Sequence, residues 1–167
     1  LTGQRLEGLD NGAVGHRAPE LVIFAADKET PLFHDGFMDL VHQGGFADAP
    51  LDRLLSMIDL NVKALVELTH ISLPFMERGG VIYQVASISA FLPGPNLAVY
   101  AASKSFVLSF AHALYRELQD QGIHVISVSP GPVDTGFWRT ASSGAMAPPK
   151  GALNPAGVVA WALKDAR

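Results

Sequence analysis

The sequence contains no cysteine, which excludes disulfide bonds, thiol nucleophiles and cysteine-ligated zinc from this chain. Charged residues make up only 17%, and the formal net charge is −4 with no cluster of Lys or Arg. Nucleic acids and anionic membrane surfaces are therefore poor candidates as partners. No apolar run reaches the ~20 residues that cross a bilayer, and the first residues lack the layout of a signal peptide. These absences predict a soluble, cytoplasmic protein.

Hydrophobic residues make up 49% of the 167 residues, and they fall in short runs that alternate with longer helical patterns. Runs of strand length lie at 21–25, 37–41, 81–85 and 123–128. Apolar residues recur at steps of three and four residues in 51–73 and 100–119, and a last short helix is predicted from Asn154-Pro155. Strands that alternate with helices predict an α/β fold with a doubly wound parallel sheet.

The stretch 87–104 combines a hydroxyl, a phenol and an ammonium group. Tyr100 and Lys104 are four residues apart in a predicted helix, so their side chains share one face. Because a nearby cation favours the phenolate, we expect the pKa of Tyr100 to lie below its ordinary value of about 10. Ser87 follows the predicted strand 81–85, and the turn residues 93–96 can fold it back toward the start of the helix.

The Tyr-x-x-x-Lys spacing alone is common, and an exposed lysine beside a half-buried tyrosine is its ordinary explanation. The strand and Ser87 before it favour a pair of hydroxyl groups that holds a carbonyl or alcohol oxygen. Four large apolar residues flank the proposed site and are predicted to line an apolar substrate pocket: Phe91, Leu92, Phe137 and Trp138. Core packing explains Phe91 and Leu92 equally well.

Three further features are less specific. Asn61 lies inside the helical pattern 51–73, where an asparagine is disfavoured, and the pattern alone predicts a surface position. Residues 136–151 are rich in Gly, Ala, Ser and Pro, which suits a mobile lid and a plain linker equally. The six histidines are scattered without the spacing of a metal site, so no metal is expected.

Taken in order, these pieces resemble the short-chain dehydrogenase/reductase family. They are a strand, Ser87, thirteen residues to Tyr100-x-x-x-Lys104, a helix, a strand and then Pro-Gly-x-Val-x-Thr at 130–135. The run DLNV at 59–62 falls where that family has its helix asparagine. The resemblance extends from about Gly45 to Thr135. It implies a Rossmann-like, three-layer α/β/α fold and an NAD(P)-dependent oxidoreductase that interconverts a carbonyl and an alcohol.

The resemblance also implies a role for each residue of the site. Tyr100 would be the general acid/base, and Lys104 would lower its pKa and hold the nicotinamide ribose. Ser87 would orient the substrate oxygen. Asn61 would anchor a water molecule that connects Lys104 to solvent.

The same resemblance implies how the cofactor is held. Residues of the loop after 123–128 would contact the nicotinamide carboxamide: Pro130, Gly131, Val133 and Thr135. Asp27 resembles the acid at the end of the third strand, which contacts adenine, although a solvated loop acid is an equal alternative. The run RLEGL at 5–9 favours NADP, with NAD as the alternative, and family members suggest a homodimer or homotetramer.

The sequence departs from the family in two motifs. The glycine-rich turn that lays a pyrophosphate on a helix N-terminus is not found, and neither is the Asn-Asn-Ala-Gly motif. We therefore expect 1–167 to be a single Rossmann-like domain that is incomplete at its N-terminus, near 41–42 and at its C-terminus. The missing phosphate turn also leaves an alternative function, a Rossmann-like protein that binds a nucleotide or a partner without turnover.

Overall fold

The structure is a computed structural model, and it describes residues 20–23, 43–135, 138 and 147–165. The predicted alternation of strands and helices is present in these residues. The elements are β1 (Glu20–Ile23), α1 (Leu51–Ile58), α2 (Leu65–Ser72), β2 (Val81–Val85), α3 (Ala98–Leu118), β3 (His124–Val128) and α4 (Pro155–Asp165). No helix of this described part is long and apolar enough to cross a membrane.

The three strands form one parallel sheet in the order β1-β2-β3. In its register, Val81 lies opposite His124 and Val85 lies opposite Val128. Parallel neighbours need crossover connections, and here α3 connects β2 to β3, as a wound α/β fold requires. The sheet and its helices therefore agree with the predicted fold class.

Strand β1 differs from the prediction in its place within the sheet. It pairs directly with β2, with Leu21 opposite Ile82. The resemblance implies that the run 21–25 is the third strand of the family, because Asp27 follows it. In the doubly wound order 3-2-1-4-5-6 the third strand pairs only with the second, whereas β1 pairs with the strand that precedes Ser87. Asp27, the predicted strand 37–41 and the junction at 41–42 lie outside the described residues.

The core lies between β2 and one face of α3. The buried residues of that face recur at steps of four, three and four: Val107, Ala111, Leu114 and Leu118. Ile82 of β2 packs in the same cluster as Ala111, Leu114 and Leu118. A helix whose apolar residues keep this spacing presents one continuous stripe to the sheet, so its orientation is set by burial.

The helical pattern 51–73 is one continuous helix in which a π-helical segment, Asp59–Ala64, joins α1 to α2. It begins directly after Pro50, as predicted, and ends in a 3₁₀ turn at Leu73–Phe75. From Met57 onward its buried residues lie four apart: Met57, Asn61, Leu65 and Thr69. Four residues overrun a regular helical turn of 3.6, and the wider turn of the π segment takes up that excess. The π segment therefore keeps Asn61 on the buried face.

The turn that ends α3 contains a glycine in the C′ position. Gly122 has φ 70°, the left-handed conformation that favours glycine, and it follows the 3₁₀ turn Gln119–Gln121. Its backbone carbonyl accepts a hydrogen bond from Gly79 N at 2.7 Å. A β-carbon at this position would lie 2.8 Å from Arg78 Cγ, so the turn needs glycine for both conformation and space.

We predict that Gly122→Ala lowers the free energy of unfolding by about 1–2 kcal/mol, because alanine is strained at this positive φ. Urea denaturation measures the change. Gly157→Ala is the matched control, because Gly157 lies in α4 and a β-carbon there meets no atom within 4 Å. This control is expected to stabilise the protein by up to about 1 kcal/mol, since alanine is the better helix former. Equal effects of the two substitutions would contradict this account of the turn.

Candidate active site

Helix α3 carries two buried polar side chains on the same face. Tyr100 is 8% exposed and Lys104 is 6% exposed. Lys104 Nζ lies 5.8 Å from the centroid of the Tyr100 ring. The ammonium donates a hydrogen bond to the backbone carbonyl of Val85 at 3.1 Å, which connects α3 to the end of β2.

Ser87 lies just beyond β2 and is also buried. It caps the 3₁₀ turn Ile88–Ala90, and its Oγ accepts a hydrogen bond from Ser89 N at 3.2 Å. The backbone on either side of Ser87 continues the pairing with the neighbouring segment, through Ala86 N to Val128 O and Ile88 N to Pro130 O. A side-chain hydrogen bond joins Ser87 to Tyr100. The structure thus brings Ser87, Tyr100 and Lys104 together.

The electrostatics of the pair differ from the prediction. Burial raises the pKa of Tyr100 above its ordinary value, and the hydrogen bond from Ser87 only partly opposes this effect. Burial also lowers the pKa of Lys104 to about 8. The predicted lowering of the Tyr100 pKa by the lysine was therefore wrong, because desolvation of the phenol dominates and the ammonium is bonded to the Val85 carbonyl.

Asn61 is buried, not on the surface. Its exposed fraction is 1%, and its Nδ2 donates to Ser103 Oγ at 3.0 Å. Ser103 Oγ in turn donates to the backbone carbonyl of Tyr100 at 2.7 Å. The residue pattern alone gave the wrong position because it treated a polar residue in a helix as solvated. The useful signal was the spacing, since Asn61 lies four residues from both Met57 and Leu65 on an apolar stripe.

The residues predicted to line a substrate pocket have different environments. Phe91 and Leu92 are 58% and 70% exposed beside the turn that holds Ser87, so core packing is the wrong explanation for both. The indole Nε1 of Trp138 donates to the backbone carbonyl of Val133 at 2.8 Å, which ties the ring to the loop after β3. Phe137 and most of 136–151 lie outside the described residues.

The loop after β3 contains Pro130, Gly131, Val133 and Thr135. Two backbone hydrogen bonds hold the loop beside Leu153. Asp134 N donates to Leu153 O at 2.9 Å, and Leu153 N donates to Pro132 O at 2.7 Å. The loop borders an open groove of about 290 Å³, lined by 126–131 and by residues of α4. A β-carbon at Gly131 would meet nothing within 4 Å, so there is free space beside this backbone.

No group of three or more potential metal ligands occurs among the residues that the structure describes.

Comparison with known proteins identifies the family. The model of the short chain dehydrogenase family matches residues 39–145. A sulfoacetaldehyde reductase from Chromohalobacter salexigens is 33% identical over 166 residues, which cover 86% of this chain and 66% of that protein. A serine 3-dehydrogenase from Rhizobium radiobacter is 32% identical over 121 residues, which cover 66% of this chain and 49% of that protein. The chain belongs to the short-chain dehydrogenase family.

A solved structure supports the fold. A short-chain dehydrogenase from Sphingobium yanoikuyae in complex with NADPH superimposes with a TM-score of 0.65 at 27% identity. The match covers 74% of this chain and 49% of that chain. The chain thus spans about half of the length of several proteins that it matches. The Rossmann-like fold expected from the sequence is confirmed by this likeness.

The lowered pKa of Lys104 predicts how stability depends on pH. Between pH 8 and about 10.4 the unfolded chain still binds the proton that the folded protein has released, so the free energy of unfolding rises with pH. We expect the stability of the wild type relative to Lys104→Met to increase by about 2–3 kcal/mol between pH 7 and pH 10.

Urea denaturation of both proteins at each pH measures this difference. The raised pKa of Tyr100 has the opposite sign, but it is common to both proteins and cancels in the comparison. A stability difference that stays constant with pH would show that Lys104 is not desolvated.

Proposed function

We propose that the protein is an NADP(H)-dependent oxidoreductase, with NAD(H) as the alternative cofactor, that interconverts a carbonyl and a secondary alcohol. The observation that carries the proposal is the hydrogen bond between Ser87 and Tyr100 beside a buried lysine. Two hydroxyl groups that lie close together in a buried site suit the binding of one substrate oxygen. Membership of the short-chain dehydrogenase family supports the reaction class.

In this proposal Tyr100 is the general acid/base. Its raised pKa keeps the phenol protonated at neutral pH, which suits donation of a proton to a carbonyl oxygen during reduction. Ser87 donates a hydrogen bond to the same oxygen and so orients it. In the oxidation direction Tyr100 accepts the proton of the alcohol. In reduction, Lys104 and a water molecule held by Asn61 would then resupply Tyr100 with a proton from solvent, and in oxidation the proton would leave to solvent by the same route.

The described residues fit a nicotinamide cofactor, which supplies the hydride in reduction and accepts it in oxidation. The Lys104 ammonium has three donors, and Val85 takes one of them, so donors remain for ribose hydroxyl groups. The free space beside Gly131 suits a flat ring. We propose that Pro130, Gly131, Val133 and Thr135 hold the carboxamide. The predicted contact of Asp27 with adenine stays a prediction.

We propose that the substrate presents an apolar group to the side chains beside Ser87. Phe91 and Leu92 are exposed although they are large and apolar, and they directly follow the turn that Ser87 caps. Trp138 is tied to the loop after β3, on which the cofactor contacts are proposed. Together with Phe137 these side chains would form the apolar part of the pocket.

We also propose a homodimer or homotetramer that forms through the long helices. Both helices have large apolar side chains on their exposed faces, which is unusual for a free surface. These side chains are Leu51, Leu55, Ile58 and Ile71 of α1, α2 and the segment between them, and Phe106 of α3.

The principal test is the oxidation of NADPH and NADH with a panel of apolar ketones and aldehydes. We expect Tyr100→Phe to lower turnover by about 10²–10⁴-fold, because the variant retains the ring but has no proton to donate. Binding of the cofactor, followed by nicotinamide fluorescence, is expected to persist. Tyr115→Phe is the matched control, since Tyr115 lies on the same helix and is exposed.

Undiminished turnover in Tyr100→Phe would refute the proposed acid/base. Cofactor binding without turnover in the wild type and in both variants would favour the Rossmann-like binding protein.

The substrate proposal predicts the effect of Leu92→Ser. We expect kcat/KM for apolar ketones to fall about tenfold, because the substrate loses one apolar contact. The free energy of unfolding is expected to change by less than about 0.5 kcal/mol, since Leu92 is exposed. Phe75→Ser, at an exposed position of the 3₁₀ turn after α2, is the control and is expected to leave kcat/KM unchanged. Equal kcat/KM values in Leu92→Ser and the wild type would exclude this side chain from the pocket.

A further inference from the structure

We propose that Ser103 is a positioning residue that sets the orientation of the Asn61 amide. The inference deepens the proposed function, on which it rests for the part that Asn61 plays in returning the proton. Ser103 stands directly before Lys104 in α3, and its hydroxyl contacts Asn61 and the backbone carbonyl of Tyr100. Its effect would pass entirely through Asn61.

The geometry places Ser103 between two elements of the site. Its Oγ lies 2.7 Å from the backbone carbonyl of Tyr100 in its own helix and 3.0 Å from Asn61 Nδ2 in the π segment. Both side chains are buried, with exposed fractions of 4% for Ser103 and 1% for Asn61. The two residues are 42 positions apart in the sequence, so this contact joins separate helices.

The number of protons decides the orientation of the amide. A serine hydroxyl has one proton to donate and two lone pairs to accept. A backbone carbonyl can only accept, so the proton of Ser103 goes to Tyr100 O. Asn61 must therefore face Ser103 with its NH₂ group, and its Oδ1 must point away from α3. Without Ser103 this constraint from α3 is lost, and a turn of the amide by 180° would exchange a donor for an acceptor at the other side.

Helix stability alone does not explain a serine at this position. Alanine is the better helix former, and a hydroxyl that bonds its own helix adds little to it. The second hydrogen bond, across to the π segment, is what an alanine would lack. A buried amide donor that loses a hydrogen-bond partner is costly, so we expect the loss of this hydroxyl to disturb the Asn61 amide.

The test observes the Asn61 amide directly. The sequence has only four asparagines, so protein labelled with ¹⁵N-asparagine gives four side-chain NH₂ signals. Asn96 and Asn154 are exposed, and Asn61→Asp identifies the Asn61 signal by its loss. We expect the Asn61 protons to exchange with solvent at least tenfold faster in Ser103→Ala than in the wild type.

Two further variants complete the design. Ser109→Ala removes a hydroxyl from an exposed position of α3 and is expected to leave the Asn61 signal and its exchange unchanged. Ser103→Thr retains the hydroxyl, which threonine also directs to its own helix backbone, and is expected to retain slow exchange. Exchange and chemical shift of Asn61 that are the same in Ser103→Ala and the wild type would overturn the proposal. Fast exchange in Ser103→Thr would also count against it, because the hydroxyl would then not be the cause.

Steady-state kinetics tests the consequence for the reaction. We expect Ser103→Ala to lower kcat about tenfold while the KM for NADPH stays unchanged, because Lys104 is intact and only the return of the proton is slowed. An unchanged kcat would remove Ser103 from the reaction. If the wild type shows no turnover at all, the proposed function fails, and the exchange of the Asn61 protons still decides the orientation.

Discussion

The hydrogen bond between the Lys104 ammonium and the Val85 carbonyl joins the two elements on which the site depends. Strand β2 ends at Val85, two residues before Ser87, and α3 carries both Tyr100 and Lys104. If α3 moved along the sheet by one turn, the serine and the tyrosine would lie about 5 Å further apart and their hydrogen bond would break. The apolar stripe of α3 resists such a movement because Val107, Ala111 and Leu114 are buried in the core clusters. Burial of these residues thus fixes the position of Tyr100 relative to Ser87.

Burial acts on the two titratable groups in opposite directions, and both directions favour the neutral form. The pKa of Tyr100 rises from its ordinary 10.0 and that of Lys104 falls from 10.5 to about 8, so two values that are similar in water move apart. In the folded protein the lysine therefore releases its proton at a lower pH than the tyrosine does. The exclusion of water is therefore as important to the site as the identity of its residues.

Much of the fold and part of the site could be predicted from the sequence. The bounds of β2 and the start of α1 follow from apolar runs and proline, which act locally. The approach of Ser87 to Tyr100 follows from the strand, turn and helix that connect them. Three features could not be predicted in this way: the burial of Asn61, the rise in the Tyr100 pKa and the contact of Ser103 with Asn61. Each depends on how α1, α2 and α3 pack together, and the residues that meet in this packing are far apart in the sequence.

The π segment at Asp59–Ala64 constrains the number of residues between the two ends of its helix. Removing one residue there would leave a regular helix able to form all its backbone hydrogen bonds, yet it would rotate one half against the other by about 100°. Either Leu54 and Met57 would leave their cluster with Tyr100, or Leu65 would leave its cluster with Val107. Substitutions on the outer face of this helix should thus leave the fold of the chain intact, while single-residue deletions anywhere between the two clusters should not.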